Sequence, residues 1–240
     1  MNGANGHMGQ VITQIVAGDD DCQIVAGIDP YTEQKNDYPV YAWPAECDVD
    51  ADVIIDFSNA KAVDGLLDYA AEKQIPVVLC TTGLSDAQIE KVNETSKKVA
   101  ILRSANMSLG INTLFELLGK ATKVFADAGF DVEIVEAHHN QKLDAPSGTA
   151  IALADAVNEA ADGKYTYIYD RHDRRQKRDP KEIGISSIRG GNIVGEHEVI
   201  FAGDDEVITF KHQATSKSVF AKGAVEAAKF LKGKPAGLYD

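Results

Sequence analysis

Short apolar runs alternate with stretches of helical periodicity through the first half of the chain. Four runs predict buried strands, because each ends in polar or glycine residues: 23–29, 52–58, 76–82 and 99–105. Apolar positions three and four residues apart predict helices over 7–18, 60–74 and 85–97. Regular alternation of strand and helix favours right-handed crossovers and a parallel sheet.

The pattern changes in the second half of the chain. The predicted elements there are a helix over 108–128, a strand over 130–139, a helix over 147–161, mostly strand over 183–214, and a final helix over 218–232 with no strand after it. The apolar stripe of the first of these helices is predicted at Leu109, Leu114, Leu117, Leu118, Ala121 and Val124. Residues 203–205 predict a hairpin turn. The sequence therefore predicts an α/β block followed by an α+β block, with the last helix available to the first block.

Composition limits the classes of function. The 240 residues suffice for one large domain or two small ones, and 44% hydrophobic with 25% charged residues is ordinary for a soluble globular protein. No apolar run is long enough to span a membrane, and the start, MNGANGHMGQ, lacks an export signal. A net charge of −13 disfavours nucleic acid as the main partner, so an anionic ligand needs a locally positive site.

The cysteines and the charged motifs give no sign of a metal site. Cys22, Cys47 and Cys80 are widely spaced and form no CxxC pair, which argues against disulfides or zinc and favours a reducing cytosol. The sequence has no HExxH motif and no close set of carboxylate and histidine ligands, so no metal is expected. The basic stretch 171–180 is predicted to be a solvated loop.

A run of glycines opens the first predicted helix. Gly3, Gly6 and Gly9 let the backbone approach a pyrophosphate, while the helix N-terminus supplies free N–H groups and a partial positive charge. Asp29 ends the next predicted strand, where a carboxylate meets the ribose hydroxyls of a dinucleotide. The pattern favours dinucleotide binding. The alternative is a helix-capping glycine turn and an ordinary surface aspartate.

Three later strands end in small or hydroxyl-bearing residues: DFS at 56–58, CTTG at 80–83 and ANMS at 105–108. In a doubly wound sheet the ligand crevice lies at the carboxyl ends of the strands. These residues are therefore candidates to line a nicotinamide-ribose pocket, although each by itself is equally typical of an ordinary loop.

The segment EAHHNQKLDAPSGTA, residues 136–150, collects groups suited to an anionic ligand that must receive a proton. His138 and His139 lie where a strand is predicted to give way to a loop, and Lys142 follows them. The run 147–149 suits a helix start with exposed amides. Such a helix end beside an ammonium and imidazoles binds carboxylates, and imidazole delivers protons near neutral pH. The alternative is a structural histidine in a polar loop.

These motifs, together with IRGGNIVGEHEVIFAG at 188–203, closely resemble bacterial dihydrodipicolinate reductase, now called 4-hydroxy-tetrahydrodipicolinate reductase, over essentially the whole chain. The resemblance implies a cytoplasmic NAD(P)H-dependent reductase of the diaminopimelate route to lysine. It also implies a homotetramer of two-domain subunits. A Rossmann-like dinucleotide domain would occupy 1–107, completed by 217–240. An α+β substrate-binding and oligomerisation domain with a mixed sheet would occupy 108–216.

The resemblance also implies roles for individual residues. His138 would be the proton donor or acceptor and Lys142 the second catalytic group. The substrate carboxylates would be held by His139, Ser147, Gly148, Thr149 and Lys217. The cofactor would be held by Gly3, Ala4, Asn5, Gly6, His7, Met8, Asp29, Phe57, Ser58, Cys80, Thr81, Thr82, Ala105, Asn106, Met107 and Ser108. Many relatives carry an arginine where this chain has Lys217, which supplies charge but no bidentate fork.

The choice of cofactor is expected to lean to NADH, with NADPH also used. Asp29 favours free ribose hydroxyls, and Pro30 follows it where an arginine would suit a 2′-phosphate. Lys35 is the residue available to reach such a phosphate. Two rival functions are weaker. The first is another two-domain nicotinamide enzyme, such as an amino-acid or semialdehyde dehydrogenase, and those acting by a thiol need a reactive cysteine in the site. The second is a redox sensor that binds a dinucleotide without turnover, which needs no His-His-Lys cluster.

The ends of the chain carry a separate expectation. A glycine loop of this kind needs a strand immediately before it, and only Met1 and Asn2 precede Gly3. Without that strand, two inner sheet edges would be unpaired and a slot would lie beneath the loop. Relatives also continue beyond the C-terminal GLYD. We expect an abridged chain whose natural form begins with about five more, mostly β-branched, residues.

Overall fold

The computed structural model describes residues 1–33, 36–104 and 106–240. The chain forms two compact units, each described here by itself. Unit 1 comprises Met1–Met107 and Ser218–Asp240, and unit 2 comprises Ser108–Lys217.

Every helix predicted from the sequence is present, with ends shifted by a few residues at most. The elements before residue 108 are α1 (His7–Val16), β1 (Gly27–Ile28), β2 (Val40–Tyr41), β3 (Ile54–Asp56), α2 (Ala60–Lys73), β4 (Val77–Leu79), α3 (Asp86–Ser96) and β5 (Ala100–Leu102). The later elements are α4 (Leu109–Phe125), β6 (Asp131–His138), α5 (Gly148–Ala160), β7 (Thr166–Ile168), β8 (Glu182–Arg189), β9 (Gly195–Ala202), β10 (Val207–Ala214), α6 (Ser218–Leu231) and β11 (Gly237–Tyr239).

Unit 1 is built on parallel strands, as predicted. Four of them form a sheet in the order β11-β5-β4-β3, and β1 pairs in parallel with β2. Asn2 forms parallel bridges to both Ile28 and Asp56, and so joins β1 to β3. Val77 of β4 packs in one apolar cluster with Leu66 of α2, whereas Val78 packs with α6. Helices therefore cover both faces of the sheet, which explains the continuous apolar run of this strand.

Two details of unit 1 differ from the sequence-based expectation. The run 23–29 predicts a long strand, but β1 contains only Gly27 and Ile28. These are the two residues that pair with β2. Residues 23–26, which precede β1, border a cavity of about 980 Å³ that is lined also by Met1, Val53 and Ile55. The prediction that no strand follows the last helix is wrong, because β11 pairs in parallel with β5.

Unit 2 contains a five-stranded mixed sheet in the order β10-β9-β6-β8-β7. The β9–β10 hairpin is confirmed, with the amide of Gly203 donating to the carbonyl of Glu206 at 2.9 Å. The central strand β6 runs antiparallel to β9 and parallel to β8. Helices α4 and α5 contribute Leu118 and Leu153 to the same core as Ile134 and Phe201 of the sheet. This mixed sheet agrees with the predicted α+β class.

The buried face of α4 differs from the predicted stripe. Leu114 and Leu118 are buried as expected, but Leu109 is 80% exposed and Val124 is 64% exposed. The buried face instead includes Ile111, Leu114, Leu118 and Thr122. Positions spaced by three or four residues can define more than one helix face. The tertiary packing of unit 2 selects the face that carries Ile111.

The basic loop 171–180 is anchored, so the prediction of a solvated loop is wrong for three of its arginines. Arg171 donates two hydrogen bonds of 2.9 Å to Glu133. Arg174 makes a similar pair to Glu182, and Arg178 contacts Asp131 at 2.6 Å. These half-buried ion pairs bind the loop to β6 and β8. They give it a structural role.

None of the helices within the described residues is long and apolar enough to cross a membrane.

Candidate active site

The glycine loop of unit 1 depends on the absence of side chains. Gly3 has a φ of +80°, and a Cβ there would lie 2.5 Å from the carbonyl oxygen of Phe57. A Cβ on Gly9 would lie 2.2 Å from the carbonyl oxygen of Gly3. Gly6 is exposed and occupies the N-cap of α1, where the first amides of the helix lack intrahelical acceptors. The loop is therefore a tight cradle of backbone beside a helix N-terminus.

Asp29 holds this loop in place. One carboxylate oxygen accepts the amide of Asn5 at 3.0 Å, and the other accepts the amide of Tyr31 at 3.0 Å. The Asn5 side chain in turn donates to the carbonyl of Glu33 at 2.9 Å. Asp29 is only 7% exposed. The residue expected to contact a ribose thus also fixes the loop expected to contact the phosphates.

The ends of β3 and β4 lie together, as the strand-end motifs suggested. The amide of Ser58 donates to the hydroxyl of Thr81 at 3.1 Å, and the Ser58 hydroxyl donates to Asp56 at 2.6 Å. Thr81 is buried, whereas Thr82 is exposed. Burial raises the pKa of the Cys80 thiol well above its usual value, so this cysteine is a poor nucleophile.

The remaining candidate cofactor residues lie in different surroundings. Ala4 and Met107 are buried, and His7 is exposed. Ser108 is buried in unit 2, where its hydroxyl accepts the amide of Ile111 as the N-cap of α4. Ala105 and Lys35 lie outside the described residues.

In unit 2, His138 is held from behind by a buried carboxylate. Glu136 and His138 are two residues apart on β6 and so share a face of the sheet. His138 Nδ1 lies 2.6 Å from Glu136 Oε2. Arg189 donates to both oxygens of Glu136, at 2.7 and 2.8 Å. The amide of Ser147 also donates to Glu136, at 3.2 Å.

The charge states in this cluster follow from its contacts. Burial alone would raise the pKa of Glu136, but the hydrogen bonds from Arg189 and its other partners hold it at about 2. Burial lowers the pKa of His138, while Glu136 raises it and Lys142 and Arg189 lower it. Glu136 is therefore a carboxylate at neutral pH. The proton affinity of His138 is a balance of opposing neighbours.

Two further histidines bind the N-caps of helices in this unit. His197 Nε2 lies 3.0 Å from the hydroxyl of Ser147, the N-cap of α5, and the ring of His197 is 5.1 Å from that of His138. Burial lowers the pKa of His197 to about 4, so it is neutral at pH 7. His212 lies 3.2 Å from the hydroxyl of Ser108. Glu136, Arg189, His197 and His212 were not singled out from the sequence.

The loop between β6 and α5 carries the other candidate substrate ligands. Lys142 Nζ lies 2.8 Å from Asp144, and the backbone amide of Lys142 donates to the carbonyl of His139 at 3.1 Å. His139 is half-buried, and Gly148 is the exposed first residue of α5. Thr149 is half-buried in the first turn of that helix, and Lys217 is exposed before α6. Among these residues, Ser147 contacts Glu136 at the start of α5, and Lys142 lies near enough to His138 to lower the pKa of its ring. Within the described part of the chain, no group of three or more histidines, cysteines and acids is placed to hold a metal.

Family models match both halves of the chain. The dihydrodipicolinate reductase N-terminus model matches residues 1–107, and the C-terminus model of the same enzyme matches residues 110–240. The chain belongs to the dihydrodipicolinate reductase family. This confirms the resemblance drawn from the glycine loop and the histidine segment.

Named relatives of this dihydrodipicolinate reductase family support the assignment over full length. The chain is 51% identical to 4-hydroxy-tetrahydrodipicolinate reductase of Caldanaerobacter subterraneus subsp. tengcongensis, over 100% of this chain and 94% of the relative. It is 47% identical to the enzyme of that name from Clostridium tetani, over 99% of this chain and 92% of the relative. A solved structure, dipicolinate-bound dihydrodipicolinate reductase from Paenisporosarcina sp. TG-14, has a TM-score of 0.80 at 22% identity, covering 99% of this chain and 94% of the other. This structural likeness confirms the fold class.

Proposed function

We propose that this protein reduces 4-hydroxy-tetrahydrodipicolinate to tetrahydrodipicolinate with NADH or NADPH, in the diaminopimelate route to lysine. Because the product lacks the 4-hydroxyl group, the net reaction consumes one hydride and one proton and releases water. The observation that carries the proposal is the buried His138, bonded to Glu136 at 2.6 Å and followed by Lys142 and the start of α5. The family membership of both halves supports it.

Residues of unit 2 would bind the dicarboxylate and supply the proton. Hydride addition to a cyclic unsaturated dicarboxylate builds electron density on its ring. Positive groups and a placed proton donor offset that density in the transition state. His138 would donate the proton and Lys142 would assist as the second catalytic group. The carboxylates would be held by His139, Ser147, Gly148, Thr149 and Lys217.

Residues of unit 1 fit a dinucleotide. A backbone cradle that any Cβ would fill, at Gly3 and Gly9, suits the close approach of a pyrophosphate. The proposed ligands in unit 1 are Gly3, Ala4, Asn5, Gly6, His7, Met8, Asp29, Phe57, Ser58, Cys80, Thr81, Thr82, Asn106 and Met107, with Ala105 proposed from the sequence alone. Ser108, the first residue of unit 2, is proposed with them. When bound, the nicotinamide supplies the hydride. The fixed carboxylate of Asp29, followed by Pro30, supports a preference for NADH, with NADPH also used.

We further propose a cytosolic homotetramer. The outer sheet face of unit 2, opposite α4 and α5, presents apolar side chains at Val135, Ile188, Ile200 and Val207. Ile188 is 51% exposed and Val207 is 62% exposed. Apolar residues grouped on one sheet face suit contact between subunits. Light scattering of the purified protein tests this. A monomer at assay concentration would contradict it. The three cysteines are all unpaired, which suits a reducing compartment.

An absorbance assay with freshly made synthase product and each reduced cofactor tests the reaction. We expect reduced nicotinamide to be consumed only when the synthase product is present. His138→Gln and Lys142→Ala should each lower kcat by about 10²-fold or more while leaving NADH affinity nearly unchanged. His172→Gln, an exposed loop histidine, is the matched control and should retain full activity. If the protein turned over a simple keto acid but did not turn over the synthase product, the proposed reaction would be contradicted. NADH binding without turnover of either compound would indicate a dinucleotide sensor.

A further inference from the structure

A charged network lies directly behind His138. Glu136 lies two residues before His138 on β6. Arg189, on the neighbouring parallel strand β8, is the register partner of His138. The fork of Arg189 engages both oxygens of Glu136, and one nitrogen of the guanidinium also donates to the carbonyl of Asp144 at 2.7 Å. Glu136 is fully buried and His138 is 9% exposed. The carboxylate is therefore fixed by two strands and by the start of α5.

This geometry decides which nitrogen of His138 carries the proton in its neutral form. An ionised carboxylate can only accept hydrogen bonds, so the contact of 2.6 Å requires the proton to be on Nδ1. Nε2 then remains as the nitrogen that can exchange a proton. Gly195 of β9 lies beside it, since a Cβ at that position would be 3.2 Å from Nε2. A larger residue there would crowd the reactive nitrogen.

We propose that Glu136 and Arg189 are positioning residues for the proton donor. Glu136 holds His138 in the Nδ1–H tautomer, Arg189 keeps Glu136 ionised and fixed, and Gly195 leaves Nε2 clear to deliver the proton. This proposal rests on the proposed function, because it assigns the proton-transfer role to His138. It extends that function to the nitrogen that acts and to the groups that select it.

The charges around His138 predict how its titration responds. Glu136 on β6 favours the protonated ring. Lys142 in the following loop and Arg189 on β8 disfavour it. His197 on β9 is neutral near pH 7. Replacing Glu136 by glutamine removes the one favourable charge in this set and leaves both cations. The pKa of His138 must then fall, so an activity that needs the protonated ring is lost at a lower pH.

The decisive variant is Glu136→Gln, with Glu133→Gln as its matched control. Glu133 is also a strand β6 glutamate paired with an arginine, but it lies on the opposite face of the sheet. For Glu136→Gln we expect kcat to fall at least about tenfold with little change in KM. The falling limb of the pH–kcat profile should shift to lower pH by roughly one unit or more. Glu133→Gln should keep the wild-type profile, whatever its effect on stability.

Nitrogen-15 NMR of labelled histidines in the cofactor-free protein gives an activity-independent reading. We expect the Nδ1–H tautomer of His138 in the wild type and a loss of that preference in Glu136→Gln. If Glu136→Gln does not fold, Arg189→Lys is the second variant, because lysine keeps the positive charge but cannot bind both oxygens of Glu136 at once. The falling limb of its pH–kcat profile should shift to lower pH by a smaller amount. A variant with the wild-type tautomer and pH profile would overturn the positioning role. Absence of turnover in the wild type would refute the proposed function alone, because the tautomer would still report on Glu136.

Discussion

The two units prepare their candidate sites by opposite means. In unit 1 the glycine loop works through the absence of side chains, since Cβ atoms at Gly3 or Gly9 would collide with backbone carbonyls. In unit 2 the site around His138 works through charge, with the fully buried carboxylate of Glu136 accepting two hydrogen bonds from the half-buried Arg189. The first site is limited by space and the second by electrostatics. The same class of mutation should therefore have different consequences in each.

The largest expected effect is steric and belongs to unit 1. Gly9→Ala places a methyl group 2.2 Å from the carbonyl oxygen of Gly3, so the loop must move. We expect a loss of at least about 3 kcal/mol in the free energy of unfolding, and NADH affinity too weak to measure. Gly65→Ala is the control, because a Cβ there meets nothing within 4 Å. It should leave NADH binding intact and raise stability by up to about 1 kcal/mol. Normal NADH binding by Gly9→Ala would show that the loop is not a tight cradle.

The next effect is electrostatic and concerns how folding stability responds to acid. A buried histidine in unit 2 and a buried aspartate in unit 1 should change this stability in opposite directions as the pH falls. Burial lowers the pKa of His197 to about 4 from 6.5. Its contribution to stability is therefore present above pH 6.5 and lost as the pH falls towards 4, by about 3 kcal/mol in total. In unit 1, burial raises the pKa of Asp56. Acidification then favours the folded state of this group, because the buried carboxylate becomes neutral.

Calorimetric Tm values of His197→Asn and Asp56→Asn at pH 7 and pH 4.5 measure the two signs. We expect His197→Asn to lower Tm at pH 7, and this deficit should shrink at pH 4.5. The Tm of Asp56→Asn relative to that of the wild type should be highest at pH 7, and this difference should fall at pH 4.5. Parallel pH responses in the two variants would contradict the assignment of opposite signs.

The smallest effect concerns two similar helix caps. Ser108 caps α4 and contacts His212, and Ser147 caps α5 and contacts His197. Replacing either serine by alanine should cost about 1 kcal/mol of unfolding free energy. Ser147→Ala should also raise the KM for the dicarboxylate, since Ser147 is proposed to bind it. Equal KM values in the two variants would remove Ser147 from the substrate ligands.

The fold of unit 1 was largely predictable because its signals are local. Apolar runs mark strands covered on both faces, and periodic stretches mark α2 and α3. The two-residue strand β2 and the C-terminal strand β11 gave no such signal, since GLY at 237–239 is too short to show a pattern. The exposed Leu109 of α4 illustrates a second limit. Periodicity locates a helix, but tertiary packing selects which of its faces is buried.

The candidate site was predictable only in part. His138, Lys142 and Ser147 lie in one segment, so their grouping is visible in the sequence. Glu136 had a usable signal, because alternation along a strand places it on the same face as His138. Arg189 and His197 lie in the motif 188–203, but nothing in that motif places them beside His138. Their positions depend on the register of β8 and β9 against β6, which is set by long-range pairing.

Ser147 does more than cap α5, because it also connects the start of that helix to the residues around His138. Its amide donates to Glu136 and its hydroxyl contacts His197, so the start of α5 is bonded to the residue that we propose positions His138. Negative charge bound at this helix start raises the proton affinity of a nearby imidazole. Binding of a dicarboxylate would therefore draw a proton onto His138 in the pH range between its free and bound pKa values. The proposed substrate would thus favour the protonated state of the residue proposed to donate to it.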